Sequence, residues 1–189
     1  MGKLQVVGLG GNPMAKLIRF ISTEDFRKVL KAEKSKDTKL AYVLAFGSGL
    51  RISEIVGPAK NSNQEIKPLE AHQVNLETNQ IRVFGKGKKE RITVVNPMFP
   101  LKESMLKMLP LNINRRTLQM RFKKLCIKII KKDLNFHTLR HGFANHMLNE
   151  RGLPMPMVQG FGGWARLDTV GLYATANPAQ AIAKVWEGF

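Results

Sequence analysis

The chain of 189 residues has a single cysteine, few acidic side chains and no long apolar run. Each shortage excludes something. One cysteine, Cys126, cannot close an intrachain disulfide or anchor a cysteine-rich metal site, and in its apolar helical setting it reads as core filler. The acidic residues, 14 in all, are scattered and form no carboxylate cluster of the kind that holds two catalytic metal ions. No stretch approaches the ~20 apolar residues of a membrane-spanning helix. The opening MGKLQVVGLGGNPMAK lacks the apolar core of a secretory signal, which points to a cytoplasmic protein. Its GLGGNP lacks the third glycine of a dinucleotide fingerprint, and no βαβ unit follows. GKGKKE has neither the frame nor the hydroxyl of a Walker loop, so ATP is not implied.

What is present is positive charge. Lys and Arg number 31, giving a net charge of +17. Such a surplus calls for a polyanionic partner, and without an apolar span nucleic acid comes before membrane. The hydrophobic share of 43% is ordinary for one globular domain.

Periodicity and turn residues predict a mainly α-helical fold with a small antiparallel β-hairpin or sheet. Ser22 or Thr23 caps a helix to about Ala32, with Phe26, Val29 and Leu30 inward. Leu40–Phe46 is apolar all round and therefore buried. Gly47 and Gly49 break it, and Arg51 opens the short helix RISEIVG. A polar loop, 58–67, precedes two β-rich runs, 80–84 and 91–95, which form a hairpin whose tip carries Lys86, Lys88 and Lys89. Helices are expected over about 97–109 and, capped by Asn114, to about Lys132. In the latter, Leu118, Phe122, Leu125 and Ile129 form the inner stripe, while Arg115, Lys123, Lys124 and Lys128 lie largely off it. On so basic a chain that outer face suits phosphate contact, and Arg115, Arg116, Gln119 and Arg121 are the candidates for reaching base edges. A helix from His137 to about Glu150 follows, then a short one from LPMPMV, a GFGG turn, and a short helix 169–174 bearing Tyr173. The last helix, AQAIAKVW, is amphipathic.

The chemistry concentrates between His137 and Tyr173. His137 and His141 have a zinc-compatible spacing, but the glutamate of H-E-x-x-H is missing and Arg140 stands beside them, where Coulomb repulsion opposes a divalent ion. No metal or cofactor is called for. What fits is metal-free phosphoryl transfer. Arginine binds two phosphate oxygens with its planar fork and stays charged. A tyrosine, with an ordinary pKa of about 10, can attack phosphorus if it is helped to lose its proton. A lysine on a hairpin tip can protonate a leaving alkoxide.

GSGLRISEI, GKGKKER between two strands, HTLRH, GGW and then Tyr173 closely resemble, in order, the tyrosine recombinase family of phage, plasmid and viral integrases and Xer-type resolvases. The resemblance runs from about Ser22 to Ala183. It implies that Arg51 and Arg140 clamp the scissile phosphate, with Glu54 supporting them from the same short helix as Arg51. Lys86 is then the general acid toward the 5′ oxygen, and His137 takes part in proton transfer with the tyrosine. Trp164 donates an indole hydrogen bond where many members have histidine. Tyr173 attacks to leave a 3′-phosphotyrosine bond, with double-stranded DNA as substrate, and a second 5′ hydroxyl reverses the step without ATP. Gly162 departs from the aliphatic residue common at its position. The resemblance also suggests a homotetramer on two DNA sites, with the last helix docked on a neighbour; packing in cis is the other reading. Residues 1–21 read as a leader or linker remnant and 22–189 as the catalytic domain, without the family's usual N-terminal DNA-binding domain. An integrase of a mobile or viral element, acting on host DNA, is the expectation. A type IB topoisomerase-like relaxing activity and a non-catalytic basic DNA-binding module are the alternatives.

Overall fold

A computed structural model describes residues 19–59, 62–63, 65–85 and 90–173. The first helix, α1 (Thr23–Ala32), starts where Ser22 accepts a hydrogen bond from the Asp25 amide at 3.2 Å. Phe26 and Val29 on its inner face are fully buried. Ser35 caps α2 (Lys36–Gly47), which is enclosed on all sides from Leu40 to Phe46 as its continuous apolar character requires. Phe26 and Phe46 stack at 4.2 Å, and Phe99 meets both edge-on. This is the centre of the core.

Gly49, at φ 68°, turns the chain out of α2 and into α3 (Ile52–Val56). Three antiparallel strands follow in the order β1 (Val74–Asn75), β2 (Gln80–Phe84) and β3 (Glu90–Val94), so the expected hairpin gains a short third strand. Val83 pairs with Arg91 and Ile81 with Thr93. Ile81, Val83 and Thr93 are buried on the inner face, and the two-residue period puts Arg91 on that face as well.

The helix expected over 97–109 shrinks to α4 (Glu103–Leu106). Pro100 restricts Phe99 to non-helical backbone, and Asn96 closes a turn there by accepting from the Phe99 amide at 2.9 Å. Asn114 caps α5 (Arg115–Leu125), its side chain accepting from the Arg116 amide at 2.7 Å. The helix then widens into a π-helical turn, Cys126–Ile130, and stops at Lys131 in left-handed backbone. The next helix, α6 (His137–Asn145), also runs into a π-turn, His146–Glu150. GFGG is not a turn throughout: α7 (Met155–Gly162) includes its first three residues, and Gly163 alone is left-handed, at φ 65°. Tyr173 lies just beyond α8 (Leu167–Gly171) rather than within a helix. The expected last helix lies outside the described residues. Among the described residues no helix is long and apolar enough to cross a membrane.

One crossing places the site. At Gly142 on α6, a Cβ would stand 2.6 Å from both the Ile21 carbonyl and the Phe46 ring. Only glycine lets α6 come this close to α2. The approach brings Arg140, about one helical turn from His137, up to the Gly49 bend.

Candidate active site

Arg51 precedes α3, and its position is locked from within that helix. Its backbone amide donates to Glu54 Oε2 at 2.7 Å and its Nη1 to Glu54 Oε1 at 2.8 Å. Glu54 is buried and gripped a second time by Arg91 of β3, through Nη1 at 2.7 Å and Nη2 at 2.8 Å. Burial alone would raise the Glu54 carboxyl; the bonds from Arg91 and Arg51 outweigh it and hold the pKa below the usual range. A fork-to-fork pair of this kind has direction as well as strength. It ties the sheet to α3 and leaves Arg51 half open toward a cleft of about 520 Å³, whose lining includes Gly163 and Trp164.

Arg140 enters from α6. It is 2% exposed, and its Nη1 donates to Gly49 O at 2.6 Å. Nη2 finds no acceptor among the described residues. A buried guanidinium nitrogen without an acceptor is costly and marks a group arranged for something besides stability. The Trp164 ring lies over this guanidinium, with Cζ 4.1 Å from the ring centroid. Burial, then Arg51, press the Arg140 pKa down to about 9, so it remains a cation at neutral pH.

His137 and His141 lie one helical turn apart, their rings edge-to-face at 4.4 Å. His137 stands at the exposed lip; partial burial, then Arg140 and Arg51, lower its pKa. His141 sits deeper, and burial, then His137 and Arg140, lower it to about 4. It is therefore neutral, and its Nδ1 is hydrogen-bonded to the Tyr173 hydroxyl. In the Nε2–H tautomer the imidazole accepts the phenol's hydrogen, the direction that readies the oxygen for attack. Burial raises the Tyr173 pKa to about 12, against a lowering by Arg140. Tyr173 is 4% exposed, yet it is enclosed by the site rather than by the main core: Trp164 lies 6.2 Å away, ring to ring, and Asn149 Nδ2 donates to the Tyr173 carbonyl at 2.8 Å.

The predicted residues Arg51, Glu54, His137, Arg140, Trp164 and Tyr173 thus come together from α3, α6, the end of α7 and the segment after α8. Trp164 meets Arg140 through its ring face. Lys86, Lys88 and Lys89 lie outside the described residues. Of the basic residues assigned to a DNA face, Arg116, Arg121, Lys123, Lys124 and Lys128 are exposed and Arg115 is half-buried. Arg115, Arg116 and Gln119 line a second cleft with Val56 and Pro58, so residues of α3 line both this cleft and that of Arg51. Two members are partly engaged within the chain: Arg121 pairs with buried Glu33 at 3.4 Å and Lys123 with Asp133 at 3.0 Å.

Two residues of the site escaped the sequence reading. The motifs give His141 no catalytic role, although HTLRH places it one turn below His137 on the same side of the helix. Arg91 belongs to none of the motif roles, although a cation on the buried face of a strand signals a buried partner. Among the described residues no three His, Cys, Asp or Glu side chains gather as a metal site would need.

Comparison with known proteins accords with this geometry. Residues 16–180 match the phage integrase family. Tyrosine recombinase XerD of Staphylococcus aureus is 33% identical over 77% of this chain and 52% of its own length, and that of Staphylococcus saprophyticus 32% over the same shares. The chain therefore spans about half the length of the curated relatives it matches. Among solved structures, XerH recombinase bound to its difH substrate superposes with a TM-score of 0.66 at 22% identity, covering 90% of this chain and 55% of that one. The catalytic domain of bacteriophage HP1 integrase gives 0.58 at 20%, covering 87% and 93%. With a family match over most of its length, the chain belongs to the phage integrase family, that of the tyrosine recombinases.

Proposed function

We propose that the protein is a site-specific DNA recombinase that cuts and rejoins strands of duplex DNA through a 3′-phosphotyrosine link. One observation carries this reading: the Tyr173 hydroxyl is bonded to a neutral imidazole and feels the charge of the buried Arg140 guanidinium, which in turn lies within reach of the charge on Arg51. Attack by Tyr173 Oη forms a phosphorus–oxygen bond while the bond to the 5′ oxygen breaks. The phenol proton passes to His141, with His137 alongside, and the departing 5′ oxygen takes a proton, for which Lys86 is the assigned donor. Arg51 and Arg140 offset the charge that gathers on the non-bridging oxygens. The arriving phosphate also places a negative charge beside the histidines, which raises the pKa of His141 from its value in the free protein and makes it a better base. A 5′ hydroxyl of another strand reverses the steps, so the bond is conserved.

Because α3 contributes to both clefts, Arg115 and Arg116 contact the same duplex that Arg51 engages. Residues 22–189 are the catalytic unit in this reading, 1–21 a leader or linker remnant, and four copies assemble on two DNA sites. Incubating the protein, without metal ions, with a nicked duplex that loses its 5′ fragment on cleavage tests the reading. The wild type is expected to give a protein–DNA adduct that survives denaturant, and Tyr173→Phe and Arg140→Ala none. Duplex binding without any adduct on its cognate site would favour a non-catalytic DNA-binding module, and relaxation of plasmid without a site requirement a topoisomerase-like activity.

A further inference from the structure

The turn that ends α7 touches all three guanidinium groups of the site. Arg91 Nε donates to the Phe161 carbonyl at 2.9 Å and Arg51 Nη2 to that of Gly163 at 2.7 Å, while the Trp164 indole covers Arg140. The first two contacts use backbone oxygens and are indifferent to the side chain at that position. The third depends on Gly162. This residue is buried and lies within the helix, where any amino acid could adopt the backbone. A Cβ built on it would nevertheless stand 1.8 Å from Trp164 Cζ3, 2.1 Å from Cε3 and 2.5 Å from Cη2. No small adjustment relieves an overlap with three atoms of one rigid ring. The six-membered ring of the indole occupies the space that a side chain at 162 would fill. Gly160, in the same helix, is a natural control, because its Cβ would meet nothing within 4 Å.

We infer that Gly162 is a positioning residue of the phosphate clamp: its bare Cα seats the Trp164 indole, and the seated indole sets the plane of the Arg140 guanidinium. This rests on the recombinase reading above. A guanidinium gives two parallel bonds to a phosphate only when its plane is correctly set, and tolerances at such sites are ~10–20°. Nη1 is tied to Gly49 O and Nη2 is not tied among the described residues, so the flat ring on the face of the group is what resists its rotation. Adding one methyl group at 162 unseats the indole, and Arg140 then turns about its remaining bond.

The test compares wild type with Gly160→Ala, Gly162→Ala, Trp164→Ala and the double variant Gly162→Ala/Trp164→Ala, reading the single-turnover rate of covalent linkage to the nicked duplex at saturating DNA, the duplex Kd and the Tm. Gly160→Ala is expected to match wild type. Gly162→Ala is expected to link on the order of 10- to 100-fold more slowly, the scale of a small misplacement at a reacting centre, with Kd unchanged. The double variant should be no slower than Trp164→Ala alone, since the indole is already gone. A wild-type rate in Gly162→Ala, or a double variant slowed by the product of the two single effects, overturns the inference. Should Gly162→Ala melt too early to assay, the double variant decides: it must fold and link at the Trp164→Ala rate. A second arm needs no activity. In a Trp186→Phe background, acrylamide should quench Trp164 fluorescence at least about twice as readily in Gly162→Ala as in wild type or Gly160→Ala. If wild type forms no adduct at all, the recombinase reading fails, and unchanged quenching would separately remove the seat.

Discussion

Tyr173 and His141 illustrate how burial and charge divide the work between two side chains. The same enclosure that raises the phenol to about 12 lowers the imidazole to about 4, so the free protein holds its proton on oxygen. This has a consequence for stability. In the unfolded chain His141 titrates near 6.5, and in the native state near about 4. Between those values the unfolded chain binds a proton that the native chain refuses, so native stability falls as pH drops from about 6.5 to about 4 and is unaffected by this group above that window. His137 shifts in the same direction. Melting wild type and His141→Gln at about pH 7 and about pH 4.5 should therefore show a smaller loss of Tm in the variant; equal losses would mean that His141 is not held neutral. Tyr173, Arg51 and Arg140 could be singled out in the sequence because their neighbours form compact motifs. Which of two histidines one turn apart meets the phenol was not, since that depends on how the segment after α8 folds back. Arg91 could have been read from the alternation of β3, because it shares the inward face of Thr93.

At the scale of elements, two glycines set the geometry by what they omit. Gly142 admits α6 to α2, and Gly49, whose Cβ would strike the Phe143 ring at 2.6 Å, turns its carbonyl to Arg140. Gly142→Ala forces a methyl group against a backbone oxygen and the Phe46 ring, neither of which can swing away. The expected cost is about 1–3 kcal/mol, the usual range for overpacking, read as a lower denaturation midpoint at unchanged m-value. A wild-type midpoint would mean that the crossing has slack. Helices α1, α2 and α5 were readable from capping residues and from apolar residues at helical spacing. The widening of α5 and α6 into π-turns was not, because it follows from how their last turns pack. The single-residue turn at Gly163 was also hidden: GFGG looks like a loop by composition, yet α7 carries three of its residues.

For the whole molecule, the net charge of +17 sets how the protein meets a polyanion. If Arg115 and Arg116 each rest on a phosphate, replacing both with alanine should flatten the slope of log K against log salt by about two units, near 0.9 per phosphate. An unchanged slope would place the N-terminal end of α5 away from DNA. The predominance of helix and the existence of the hairpin were legible from length, turn residues and periodicity; the third strand and the two clefts lined by α3 arise only from tertiary packing. In the proposed function these features serve one bond, between the Tyr173 oxygen and a DNA phosphorus. Tryptic digestion of the denaturant-resistant adduct, followed by mass spectrometry of the peptide running from Leu167 to Lys184, tests it most directly. The expected result is a nucleotide fragment on Tyr173, the one tyrosine in that peptide; a nucleotide on any other residue, or an adduct that persists in Tyr173→Phe, would contradict the account.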